Sequence, residues 1–209
     1  GSARRRRTIS RARCAGFLAG RWILSTQRLW RNTCSATSAS AAWSYMSPLD
    51  KARAWVADLV RKLREDIAAA EEQARLAREE LARAAGGPPA LPTMALLSLC
   101  IDRAYTALEA GFMRVARWID EAVPAGEDWH KALLHQMTLA IQDRRPAVLS
   151  RESAQELDIL LRHRHWLRHA YSASFDWRRM EPAVAALLRA VEAARRDMEA
   201  FVAFLGAAA

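Results

Sequence analysis

The chain has 209 residues, 52% of them hydrophobic, and a formal net charge of +9. That length suits one domain with a core of its own, and no apolar run approaches the roughly 18 residues that a membrane span requires. Residues 1 to 45 carry nine Arg and no Lys, Asp or Glu, so residues 46 to 209 balance 23 basic against 23 acidic residues. Bulk attraction of the body to nucleic acid is thereby excluded, and any RNA contact must come from a local patch.

The first segment, residues 1–48, reads as a basic Arg/Ser/Ala-rich tail, non-native or disordered. Gly1-Ser2 looks like a cloning scar, Arg4 to Arg7 form a basic run, and Ala36 to Ala42 are mostly Ser and Ala. The acid-free composition is that of an organellar transit peptide or of a basic arm. The expectation adopted is that Met46 is the natural start and the residues before it have no folded role. Residues 49–206 then form the helical domain.

Ala, Leu, Arg and Glu dominate this body, and the whole chain has only eight Gly and seven Pro. The fold class expected is all-α, an antiparallel bundle of four or five helices. The first helix carries Val56, Val60, Leu63, Ile67, Ala70, Ala74, Ala77 and Leu81 at alternating spacings of four and three, a heptad seam. Glu71–Arg75 and Glu79–Arg83 are spaced to pair on its wet face. Gly86-Gly87-Pro88-Pro89 ends it. A second helix is predicted from about Pro92 to Val123, with Cys100 as a buried, inert thiol. The three cysteines, Cys14, Cys34 and Cys100, have no metal-site spacing, and nothing points to an oxidising compartment.

Pro124-Ala125-Gly126 breaks that helix, and a shorter one follows from about Asp128 to Ala140. On it His130 and His135 are expected to face solvent, and Trp129 to sit in the core or at an interface. The loop 142–150 leads into a helix over 151–173, capped by Ser150 or Ser153, with Glu152 and Glu156 near its positive end. A last helix is predicted over Glu181 to Leu205, with Pro182 in its first turn.

The helix over 151–173 holds the most informative residues. Leu157, Leu160, Arg164, Leu167 and Tyr171 fall on one stripe at 100° per residue. A guanidinium in such a seam is costly unless it is paired or serves a ligand. His169 lies about 140° around from Arg164 and about 7.5 Å further along an ideal helix. An arginine and an imidazole so arranged can converge on one phosphate. Glu109, with Tyr105 and Phe112 around it, is a carboxylate in an apolar setting; it can partner Arg164, or pair locally with Arg103 or Arg114. His165 and His169 have the i, i+4 spacing of zinc helices, but Trp166 stands where a metalloprotease has Glu and no third ligand is evident. No metal and no cofactor are expected.

The run Arg164-His165-Trp166-Leu167-Arg168-His169-Ala170-Tyr171 resembles the Arg-x4-6-His signature of HEPN-domain ribonucleases, in the Arg-x4-His-x-Tyr form of HepT-like toxins. Gly126 to Lys131, Arg145 to Val148 and Phe175 to Trp177 are similar to the same subfamily, and the resemblance spans roughly residues 50 to 205. It implies a metal-independent endoribonuclease toxin with Arg164, His169 and Glu109 as catalytic residues, Glu109 standing where that family places a polar residue on this helix. Arg168 and His165 would bind RNA phosphate. The resemblance further implies a homodimer in which two motifs meet, and a minimal nucleotidyltransferase antitoxin that adenylylates Tyr171. A cytoplasmic protein without membrane contact is expected. The other reading is a non-catalytic module whose basic helix docks a protein partner or an anionic ligand.

Overall fold

The computed structural model describes residues 46–84, 87–169 and 175–208. Among them are five α-helices and no strand: α1 (Pro48–Arg83), α2 (Leu91–Val115), α3 (Trp129–Thr138), α4 (Arg151–His169) and α5 (Trp177–Ala208). A π-helical turn, Ala116–Asp120, continues α2. None of the described helices is long and apolar enough to cross a membrane. The expectation of a disordered tail falls on residues that, up to Tyr45, lie outside the described ones.

The described residues divide into two compact units, a smaller one with residues 46–61, 142–144 and 202–208 and a larger one with those between 62 and 141 and between 145 and 201. In the smaller unit, the Ser47 hydroxyl accepts from the Asp50 N–H at 3.2 Å and donates to the Asp50 carboxylate at 2.6 Å. This cap satisfies an orphan donor and places an acid at the helix's positive end.

The larger unit contains the bundle. On α1 the buried positions Leu63, Ile67, Ala70, Ala74 and Ala77 follow the expected seam, while Leu81 is half-buried. Earlier in the helix Leu59 is buried and Val60 only half-buried, so the stripe runs one residue off the expected heptad there. Of the two expected wet-face pairs, Glu79–Arg83 forms, at 3.8 Å, and Glu71–Arg75 does not. Arg75 bonds Glu72 and Glu79, whereas Glu71 meets Arg195 of α5 at 3.5 Å. A tertiary partner has displaced the i, i+4 pair.

Three ion pairs and a hydrogen bond show the directions of the helices. Arg64–Glu199 and Glu71–Arg195, both at 3.5 Å, make α1 and α5 antiparallel. Ser153–Asp197 at 2.6 Å and Glu156–Arg189 at 3.0 Å do the same for α4 and α5. Facing α1 and α5, α2 carries Gly111. A Cβ there would meet Met198 Cε at 3.0 Å, and Leu63 Cδ2 and Asp66 Oδ2 at 3.5 Å.

The second and the last helix each depart from the sequence expectation at one end. The second helix stops at Asp120, three residues before Val123, because its last turn widens. Ala116 O accepts from the N–H of both Glu121 and Ala122, and Glu121 takes φ +55°. The last helix begins at Trp177, a turn before Glu181, so Pro182 sits inside it. Asp176 makes this possible, its side chain accepting the Arg178 N–H at 3.0 Å and its carbonyl those of Arg179 and Met180 at 3.1 Å. The helix over 151–173 is described to His169. Ser150 caps it, accepting the Ser153 N–H at 3.1 Å, while Ser153 itself is buried against Asp197.

Candidate active site

The loop after α3 is anchored by Arg145, which is buried with Asp120. Nε and Nη2 reach the two carboxylate oxygens at 2.6 and 2.7 Å. Nη1 donates to the carbonyls of Leu139 and Pro146, and Nη2 also to that of Gln136. All five N–H groups of this guanidinium are therefore used. Gln136 adds a 2.6 Å bond to Asp120. The end of α2 and the end of α3 are thus tied together, which sets α3 beside α2 and α4. Gly126, at φ +93°, supplies the left-handed residue that the turn into α3 requires.

Against this frame stands a second buried arginine. Arg164, 5% exposed, projects from α4 toward α2, with Leu157 and Leu160 of its stripe fully buried. Its Nε donates to Asp102 Oδ1 at 3.1 Å and its Nη1 to Glu109 Oε2 at 3.2 Å. The guanidinium carbon lies 5.5 Å from the Tyr105 ring centroid. The reason for an arginine in the apolar seam is therefore within the chain: two carboxylates of α2 neutralise it. Of the partners open to Glu109 in the sequence, Arg164 is the one it meets. Among the described residues, Nη2 of Arg164 has no hydrogen-bond partner. Arg145 is fully used by protein groups, whereas the bonds of Arg164 to described residues engage only its Nε and Nη1.

His130 corrects the expectation of a solvent-facing histidine. Its ring reaches Glu109 Oε1 at 2.5 Å through Nδ1, and Arg164 Nη1 lies 3.4 Å from the same nitrogen. Both oxygens of Glu109 are thus engaged. Trp129 is half-buried and stacks on the His130 ring, with centroids 3.6 Å apart. His135 is exposed.

Of the remaining predicted residues, Arg168 and His165 are exposed on α4. Arg168 Nε stands 3.8 Å from Asp102 Oδ1, bringing a second cation beside the Arg164 cluster. The backbone of His169 closes α4, while its side chain and the whole of Tyr171 lie outside the described residues.

Sequence reasoning missed Asp102, His130 and the buried pair Ser98–His163. Asp102 could have been found, because it lies seven residues before Glu109 and shares its face of α2. His163 Nε2 is 2.6 Å from Ser98 Oγ. Burial pushes this imidazole below its ordinary range, with the charge of Asp102 acting in the opposite direction, so it is held neutral in the fold. Burial likewise pushes the Tyr105 phenol up, with Glu109 adding to the effect, and raises the buried Cys100 thiol. No group of metal-ligating side chains is found among the described residues.

The chain matches the family model described as HepT-like protein over residues 96–205, more than half its length. It belongs to the HepT-like family of the HEPN superfamily, a ribonuclease family whose members typically act on RNA. The matched span takes in the whole Arg164 cluster, from Ser98 to Arg168. A search of the curated proteins and of the solved structures returned no match.

Proposed function

We propose that the chain is the endoribonuclease toxin of a toxin–antitoxin pair and cleaves RNA without a metal ion. The observation that supports this best is Arg164. It is a buried arginine held by Asp102 and Glu109 with its Nη2 unengaged by described residues, five positions before His169, in a chain of the HepT-like family. In the reaction, the substrate's 2′-oxygen attacks the adjacent phosphorus while the bond to the 5′-oxygen breaks. His169 takes the 2′-hydroxyl proton, imidazole being the side chain suited to this near neutral pH. Arg164 holds the phosphoryl oxygens as charge builds on them. Glu109 and Asp102 fix that guanidinium, and Arg168 and His165 engage flanking phosphates from the exposed side of α4.

The active form is a homodimer in which the α4 motifs of two copies meet. Neutralisation is by a minimal nucleotidyltransferase antitoxin that adenylylates Tyr171. Both statements rest on family membership and on the Arg-x4-His-x-Tyr spacing.

The test is RNA cleavage by wild type and His169→Ala in the presence of EDTA, with helicity checked by circular dichroism. Wild type should cleave, and the folded variant should lose roughly 100-fold or more in rate. Undiminished cleavage by folded His169→Ala, or loss of wild-type activity to EDTA, would overturn the reading.

A further inference from the structure

We infer that Glu109 and His130 form a proton-transfer dyad in which His130 Nε2 donates a proton to the departing 5′-oxygen of the RNA. The inference rests on the ribonuclease reading of the Arg164 cluster and assigns a second proton-moving group to it.

A carboxylate only accepts hydrogen bonds. At 2.5 Å from Glu109 Oε1, His130 Nδ1 therefore carries hydrogen in both protonation states of the ring. The atom that gains or loses a proton is then Nε2, on the far side of the ring from Glu109. Glu109, itself 6% exposed, sets the sense of the ring, and the Trp129 ring, tilted 31° against it at 3.6 Å, restricts its plane. A carboxylate fixing one imidazole nitrogen so that the other does chemistry is the orienting arrangement of nucleophile–base–acid sites. The histidine side chain is 26% exposed, so unlike the buried His163 it is open to a ligand.

Position ties this ring to the reaction. Arg164 Nη1 is 3.4 Å from His130 Nδ1, so a phosphate held by the Nη2 edge of the same guanidinium would lie beside the imidazole. Strand scission needs two proton movements. As the O2′–P bond forms, the 2′-hydroxyl proton passes to His169. As the P–O5′ bond breaks, its electron pair goes to the 5′-oxygen, which takes the proton from His130 Nε2. The products are a 2′,3′-cyclic phosphate and a 5′-hydroxyl, and both histidines return to their starting states by proton exchange with water.

The experiment compares wild type, His130→Gln and His169→Ala on two short RNAs. One has a normal cleavage-site linkage, and the other has a sulfur replacing the bridging 5′-oxygen there. A thiolate departs without protonation, so loss of an acid is repaired by the sulfur and loss of a base is not. His130→Gln should lose roughly 100-fold in kcat on the normal linkage and under about 10-fold on the sulfur one. His169→Ala should lose activity on both. Equal losses by His130→Gln on both linkages, or no loss, would overturn the dyad while leaving the ribonuclease standing. A wild type inert on both RNAs would remove the ribonuclease reading and the dyad with it, and His169→Ala as active as wild type would overturn the pairing of the dyad with His169 as base. Should His130→Gln fail to fold, nitrogen-15 histidine spectra of the wild-type protein decide. Neutral His130 should carry its hydrogen on Nδ1, and finding it on Nε2 would reject the dyad.

Discussion

Asp102 and Glu109 stand seven residues apart on α2 and close on a single guanidinium, that of Arg164, at 3.1 and 3.2 Å. Two helical turns separate their backbones by about 10.5 Å. One arginine bridges that span because its Nε and Nη1 face different carboxylates. The two are not equivalent: the Glu109 side chain is 7% exposed and that of Asp102 23%.

The difference in exposure sets different costs. Glu109→Ala leaves Arg164 and His130 without their shared acceptor and should destabilise the protein by about 3 kcal/mol. Asp102→Ala, where water can replace part of what is lost, should cost about 1 kcal/mol. Urea unfolding followed by circular dichroism measures both. Comparable losses would show that solvent access does not govern this cluster. Replacing Arg164 and Glu109 together by Met and Leu should recover most of the lost stability, since a buried pair weighs least against an apolar pair of similar volume.

Arg145 and Asp120, whose paired side chains are wholly buried, invite a harsher test. Asp120→Ala strands a guanidinium in the interior and should cost about 3–5 kcal/mol. The loss should be visible locally as faster amide hydrogen exchange in Leu139 to Leu149. Wild-type exchange rates there would mean that the carbonyl bonds of Arg145 suffice to hold the loop.

His163 predicts a pH dependence with a definite sign. Its folded-state pKa lies below the ordinary value of 6.5, so the unfolded chain takes up a proton at a pH where the folded one resists it. Stability from this residue is complete above about pH 6.5 and falls as pH is lowered toward the folded value. His163→Gln should flatten that part of the melting-temperature profile. An unchanged profile in the variant would assign the pH effect to other groups.

Tyr171→Phe should leave RNA cleavage intact and make the protein resistant to the antitoxin transferase. On the proposed function, the anionic oxygens of an adenylyl phosphodiester would compete with the RNA phosphate for the arginines assigned to it. Mass spectrometry of the protein co-expressed with the transferase locates the modification. A nucleotide attached elsewhere, or Tyr171→Phe still silenced, would reject the role of this tyrosine.

Local rules made much of the fold legible. The seam of α1, the break after Gly86, the Ser150 cap and the anomaly of Arg164 all follow from spacing along one helix. The errors arose where partners distant in sequence decide. Glu71 abandons Arg75 for Arg195, and Leu59 rather than Val60 faces inward. His130 leaves the solvent for Glu109, 21 residues away. His130 stands three, four and seven residues before the buried Leu133, Leu134 and Met137, so spacing puts it on the inward stripe and His135 off it, while the carboxylate that engages it is on another helix. Pro182 misled for a local reason: proline favours the first helical turn, yet the Asp176 cap starts this helix a turn earlier.

The π turn at Ala116–Asp120 makes the count of residues matter as much as their chemistry. Such a turn lodges one residue more than an α-helix of the same rise. Removing any one of Ala116 to Ile119 would let α2 close into an ordinary helix of the same rise and leave everything beyond nearly in place. Removing a residue from the regular helix before it would instead swing everything beyond by about 100°. Asp120 would then point away from Arg145, although every side chain in the loop were still present. A relative one residue shorter at the π turn could therefore keep this lock, while one shorter a turn earlier would need another.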